Sequence, residues 1–336
     1  MTQIQTLLND LFFWFSNIWT WMIEHPGLLI FLAMGALIPA GFWLWLYYRQ
    51  VYMDKEDKKW MIVTFFCGIF AVLPVLGVNY LLKTFANFEL INFVEDATLA
   101  QRIPLVILGF MIMGGLEEYA KFVIVRGVND KQQAFNRVAD GIEYAVAGAL
   151  GFAFIENLAY FAVAAQEYSE GPINFVALMS DSTFIQIVIA RNMGTMLVHT
   201  LFSGFLGYYY GKAKILGLQA EISEKKKLRK YLLVKGVKAR VKRLRMIWDN
   251  RKFPVPRAIH IKQDELIAEG LMVAIVLHAT YNSLLHLDVS YLIAPLIIGE
   301  FALIMHELHL EKNLLVYDLE KVERTEIRKE LEKSVE

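Results

Sequence analysis

The chain has 336 residues, 56% of them hydrophobic and 20% charged, with a mean hydropathy of +0.40. Soluble domains sit nearer about 45–50% apolar and about 25% charged, and apolar runs of bilayer-spanning length exclude an assembly of soluble domains. The 34 basic and 34 acidic residues cancel, so net charge points to no particular partner, and a lone Cys67 excludes an intramolecular disulfide framework.

Met1 to Asp10 lack the basic start of a secretory signal peptide. Ile4, Leu7, Leu8, Leu11, Phe15, Ile18, Trp19 and Met22 form a helical stripe over 4–23. That stretch reads as an interfacial helix, with an eighth span as the rival. Seven further stretches reach the roughly 20 apolar residues that a bilayer core requires: Leu28–Tyr48, Trp60–Leu82, Ile103–Val125, Gly141–Ala165, Phe184–Tyr210, Ile267–His286 and Tyr291–His309. They are continuous rather than alternating. Inside lipid the backbone must satisfy its own hydrogen bonds, so they are predicted as helices.

Basic residues alternate sharply between the connecting segments. Four fall in 49–59, three in 126–139, seventeen in 211–266 and six after 310, while the intervening loops hold only Lys83 and Arg102. The positive-inside rule places the basic segments and the C-terminus in the cytoplasm. Segment 212–265, with Lys225–Lys227, Arg229, Lys230, Lys238, Arg240, Lys242, Arg243 and Arg245, reads as a helical insertion held against anionic lipid headgroups. The expected fold is all-α: a polytopic transmembrane helical bundle with seven or eight spans and a cytoplasmic helical insertion. It divides into 1–26 (the N-terminal helix), 27–102 (two accessory spans and an outer loop), 103–211 (first part of a catalytic core), 212–265 (the insertion), 266–310 (the last two spans) and 311–336 (a charged tail).

Ionisable residues inside spans are costly and point to function. The third span carries Glu117, Glu118 and Lys121, with Glu117 and Lys121 four apart on one face and Gly114-Gly115 allowing a close backbone approach. The fourth carries Glu156 and Asn157, the fifth His199, and the sixth His278 and Asn282. At a rise of about 1.5 Å per residue, Glu118, Glu156, His199 and His278 fall at similar depth. Interhelical glue or an ion pathway are the rival readings; a catalytic or metal-binding centre suits three carboxylates, a lysine and two imidazoles better. A buried carboxylate can act as general base on water, His and Asn can stabilise an oxyanion, and the same Glu and His side chains can hold zinc. His306-Glu307-Leu308-His309 has the wrong spacing for a zinc set, and Cys67 reads as core filler.

Glu117-Glu118-x-x-Lys121, Phe152-x-x-x-Glu156-Asn157, His199 and His278-x-x-x-Asn282, in this order on consecutive spans, resemble the PrsW family of intramembrane proteases. That family is similar in its core to the CAAX prenyl endopeptidases and related Abi proteins. The resemblance covers roughly 103–286 and is strengthened by Asp140-Gly141 and Gly204-x-x-Gly207. It implies that Glu117 and Glu118 activate water, that Glu156 belongs to the second catalytic motif, and that His199 polarises water or assists proton transfer. His278 and Asn282 are implied to stabilise the oxyanion, with Lys121, Asn157 and Arg191 in support. A glutamate mechanism without a cofactor is favoured over a zinc-dependent one. The implied substrate is a membrane-anchored protein such as an anti-sigma factor, the setting a bacterial cytoplasmic membrane, and no nucleic-acid partner is expected.

Four other readings are structural. Arg191 is expected to snorkel to the outer interface, Glu143 to pair with Arg137, and Gly204, Gly207 and Gly211 to form a packing face. Trp14, Trp19, Trp21, Trp43 and Trp45 are expected as interfacial or lipid-facing anchors.

Overall fold

The computed structural model describes residues 24–50, 55–86, 99–130, 135, 137–167, 175–234, 256–287 and 289–310. The stripe over 4–23 with Trp14, Trp19 and Trp21, the basic run from Lys238 to Arg245 and the tail 311–336 lie outside these residues. Among the described residues there are helices and turns and no strand.

The helices are α1 (Pro26–Gln50), α2 (Lys55–Ile69), α3 (Val72–Ala86), α4 (Leu99–Asn129), α5 (Val138–Glu167), α6 (Phe175–Ser180), α7 (Ser182–Ala190), α8 (Met196–Val234), α9 (Arg257–His286) and α10 (Ile293–Leu310). A π-helical turn, Arg191–Thr195, joins α7 to α8, and a 3₁₀ turn, Ser290–Leu292, leads into α10. Six described segments are long and apolar enough to cross a membrane: Pro26–Tyr47, Lys59–Val78, Ile103–Asn129, Val138–Gln166, Arg257–His286 and Ser290–Glu307. The protein is a multi-pass membrane protein. The expected fifth span, Phe184–Tyr210, runs through α7, the π turn and α8 instead of forming one regular helix.

The expected second span is likewise broken, between α2 and α3. Pro74 has no N–H to give to the Phe70 carbonyl one turn earlier, and its ring crowds that position. The chain turns there with Phe70 N–H bonded to Cys67 O at 3.0 Å and Ala71 N–H to Gly68 O at 3.0 Å.

Helix α5 is central because small residues let its neighbours approach. Ala145, Ala147, Ala149, Ala153, Ala162 and Ala165 are all buried along it, and it packs on α1, α2 and α8. A Cβ on Gly141 or Gly207 would run into the other's backbone, and one on Gly211 would strike Val138. Gly207 and Gly211 are therefore the expected packing face, whereas Gly204 makes room for the Ile304 side chain of α10. Helix α7 starts where Asp181 accepts from the backbone N–H groups of Thr183 and Phe184 at 2.8 and 2.9 Å, a side-chain N-cap.

At the far end of α4 from Leu99, Lys214 of α8 donates to the Asn129 carbonyl at 2.7 Å, and Tyr210 donates to Asp130 at 3.0 Å. Partial burial opposes the Asp130 carboxylate, but the Lys214 ammonium, the Tyr210 hydroxyl and Arg126 outweigh it and hold the carboxyl below its ordinary 3.8. Glu143 does face Arg137, at 3.8 Å, although Arg137 binds Asp140 more closely, at 2.7 Å.

Candidate active site

Midway along the bundle, α4, α5, α8 and α9 bring their ionisable side chains to one place. Glu118 is fully buried and its two oxygens have three donors. Lys121 reaches Oε1 at 2.7 Å, His278 Nδ1 reaches the same oxygen at 3.0 Å, and the Ser203 hydroxyl donates to Oε2 at 2.9 Å. Lys121 pairs most closely with Glu118 and also lies 4.0 Å from Oε2 of Glu117, with which it shares a helix face. Lys121 also reaches His199 Nδ1 at 2.9 Å and lies 4.3 Å from the centre of the Phe152 ring.

These contacts assign the histidine protons. An ammonium only donates, so His199 Nδ1 accepts from Lys121 and Nε2 carries the hydrogen, which it donates to Glu156 Oε2 at 3.0 Å. His278 donates from Nδ1 to Glu118. When the ring is neutral, its Nε2 lone pair faces Glu117 Oε2 at 3.6 Å. Glu117 Oε2 is buried and has no hydrogen-bond partner. Two acceptor atoms thus face each other across a gap that asks for a proton or a cation. The two imidazoles meet edge to face, with ring centres 5.3 Å apart, and Phe202 stacks on His278.

Gly114 bears directly on this geometry. A Cβ there would stand 3.2 Å from His278 Cγ, so the glycine gives room to the imidazole and not, as expected, to a neighbouring backbone.

Glu156 is held from two sides, by His199 and by Arg191 Nη2 at 2.9 Å. Arg191 also donates to Asn157 Oδ1 at 2.9 Å, and its guanidinium lies 3.6 Å from the centre of the Tyr160 ring. It is 15% exposed, so the snorkelling reading is overturned: a partly buried carboxylate and an amide hold the side chain inward. Asn157 bridges to Asn192, which donates to the Gly35 carbonyl of α1 at 2.9 Å. Trp43 is a second correction, because its indole donates to the Asn192 carbonyl at 3.3 Å; Trp45 does stand exposed. Asn282 lies half-buried one turn beyond His278, and among the described residues it takes no part in the bonds that join the others.

Ser203 was not among the residues singled out from the sequence. It sits in the apolar run Leu201-Phe202-Ser203-Gly204-Phe205, and its only signal is a position four after His199, hence on the same helical face.

The three carboxylates face two fixed cations, Lys121 and Arg191, which leaves the cluster one negative charge when both imidazoles are neutral. The donor set also fits a metal ion. Ligand atoms of Glu117, His199 and His278 all lie within 4.8 Å of one another. The 3.6 Å between Glu117 Oε2 and His278 Nε2 is close to the edge of a tetrahedral zinc site, about 3.3 Å for bonds near 2.0–2.1 Å. Glu118 on His278 Nδ1 is the outer partner that fixes the ring of a ligating histidine. His199 would have to give up one of its two ring contacts, with Lys121 or with Glu156.

A family model described as "PrsW family intramembrane metalloprotease" matches residues 56–241, more than half of the chain and all of the cluster except His278 and Asn282. A "Protease PrsW" of Oceanobacillus iheyensis is 30% identical over 168 residues, 48% of this chain and 63% of that protein. One of Clostridioides difficile is 29% identical over 206 residues, 61% of this chain and 72% of that protein. One of Bacillus subtilis is 24% identical over 194 residues, 56% and 74% of the two chains. The chain thus covers less than two thirds of the Oceanobacillus protein. No solved structure matches.

Proposed function

This chain belongs to the PrsW family of intramembrane proteases, and from that premise we propose that its buried cluster hydrolyses a peptide bond of a membrane-anchored protein. The observation that carries this reading is Glu117 Oε2, buried, unpartnered and 3.6 Å from His278 Nε2. Of the three carboxylates, Glu117 has the buried oxygen without a hydrogen-bond partner. Glu117 takes a proton from water as the water oxygen attacks the scissile carbonyl, then returns it to the leaving amine. Glu118, saturated by Lys121, His278 and Ser203, orients His278. As an imidazolium between Glu117 and Glu118, His278 donates to the oxyanion, with Asn282 one turn away as a second donor. Glu156 and Lys121 fix the ring of His199 from its two nitrogens.

A second reading is favoured by the two facing acceptor atoms. Glu117, His278 and His199 would hold a zinc ion, which when bound polarises the carbonyl and acidifies water. The membrane orientation proposed, with the basic segments and C-terminus cytoplasmic and 212–265 against anionic headgroups, rests on the Lys and Arg distribution. The substrate proposed, a single-pass regulator such as an anti-sigma factor, rests on the family resemblance.

The test compares protein N-termini in membranes containing the wild type, Glu117→Gln or Glu118→Gln at matched levels. New N-termini confined to the wild type name the substrate and the cut; identical sets from all three, with every protein folded, refute proteolysis. Metal content separates the two readings. Retained cleavage after chelation supports the glutamate mechanism. One zinc per chain in wild type, lost in His278→Ala together with cleavage, supports the metal.

A further inference from the structure

Arg191 and His199 both reach Glu156 Oε2, at 2.9 and 3.0 Å, although they stand eight residues apart. A regular α-helix cannot easily do this. At 3.6 residues per turn, eight residues advance about 800°, which leaves the second side chain about 80° past the first. Seven residues fall only about 20° short of two full turns. The π turn supplies the difference. The Met196 N–H bonds back five residues to the Arg191 carbonyl, so one residue is added without adding its rotation, and positions 191 and 199 relate as positions seven apart do elsewhere.

The surrounding helices hold the turn open. The Asn192 carbonyl accepts from Trp43 at 3.3 Å and the Arg191 carbonyl from Asn157 at 3.4 Å. Asn192 is tied to Gly35 O at 2.9 Å. Side chains of α1 and α5 thus donate to two carbonyls of the turn, and π turns of this kind recur at functional sites.

We propose that the π turn is a register device that places Arg191 and His199 on the same oxygen of Glu156, making Arg191 a positioning residue for the Glu156–His199 pair. The inference rests on the proposed hydrolysis only for its consequence; the register itself can be read without cleavage. Met193 is the residue to remove, because it lies within the turn and its side chain is 55% exposed. Its deletion leaves a seven-residue spacing and lets the ladder close as a regular helix, which keeps Arg191 on the Glu156 face. Met193→Ala keeps the turn. One alanine inserted after Thr195 makes the spacing nine and, with the turn in place, carries Arg191 about 80° off that face; the same insertion combined with deletion of Met193 restores the eight-residue spacing.

Dicyclohexylcarbodiimide, which modifies carboxyl groups in apolar surroundings, is applied to each purified full-length protein in lipid nanodiscs, and Glu156 labelling is read by mass spectrometry. Wild type, Met193→Ala, the Met193 deletion and the compensated variant are expected to protect Glu156. The alanine insertion and Arg191→Ala should both label it several-fold more, with Arg191→Lys in between. Equal protection in the insertion variant and the wild type, or labelling in the Met193 deletion as strong as in Arg191→Ala, overturns the proposal. N-terminal profiling of the same proteins adds the functional arm. Cleavage should fall at least tenfold in the alanine-insertion variant and return in the compensated variant. Absence of cleavage in wild type sinks the protease reading while the labelling still decides the register.

Discussion

Both oxygens of Glu118 are engaged by neighbours, while Glu117 keeps one free, and adjacent residues of the same type thereby take different work. Ser203 is part of that division. Ser203→Ala removes a hydrogen bond to a buried carboxylate, a loss of about 1.5–3 kcal/mol. Lower thermal stability in detergent together with weaker cleavage is the expected result, with partial recovery in Ser203→Thr. Gly114→Ala presses a methyl group against His278; cleavage should fall by at least tenfold while the melting temperature moves by only a few degrees. The chemistry of these positions was legible in the sequence as far as residue type and order. Glu117, Glu118, Glu156, His199 and His278 do converge. Which carboxylate meets which cation was not legible, because Lys121 is within helical reach of both Glu117 and Glu118. Only the side from which α8 and α9 pack, with Ser203 and His278, decides it. Arg191 was misread for the same reason: depth can be counted along a span, but the facing helix cannot.

At the scale of the element, apolar runs announced the spans and their irregularities stayed hidden. Pro74 gave a local reason for the break between α2 and α3, whereas nothing in Arg191–Thr195 marks a π turn, since its supports come from Trp43, Asn157 and Gly35 on other helices. Close helix contact was legible at Gly207 and Gly211. Gly207→Val forces a side chain into the α5 backbone and should cost more than the roughly 1–3 kcal/mol typical of overpacking. Gly127→Ala, which meets nothing within 4 Å, should gain up to about 1 kcal/mol from helix propensity; melting of the purified proteins measures both. Glu300 on α10 is buried with both oxygens unpartnered, so Glu300→Met is expected to raise stability in the same assay by at least about 1 kcal/mol.

For the whole molecule, the contacts of α8 with the end of α4 tie the site-bearing helices together beyond the apolar core. The Asp130 carboxyl is held below its ordinary 3.8 by Lys214, Tyr210 and Arg126 against the opposing effect of burial. A group depressed in this way adds stability above its unfolded value and loses it as pH falls through the folded one. Asp130→Asn should therefore melt lower than wild type at pH 6, and the gap should close progressively below pH 4; a gap independent of pH would contradict the assignment. Helix α8 extends this rigidity outward. Its 39 residues contain no proline and at about 1.5 Å each run nearly 60 Å from the π turn, in one piece with His199 and Ser203. An antibody fragment or a fused helical domain grafted in phase onto its far end would keep a fixed attitude to the buried Glu/His cluster. That gives a 38.6 kDa membrane protein an alignment mark for single-particle imaging.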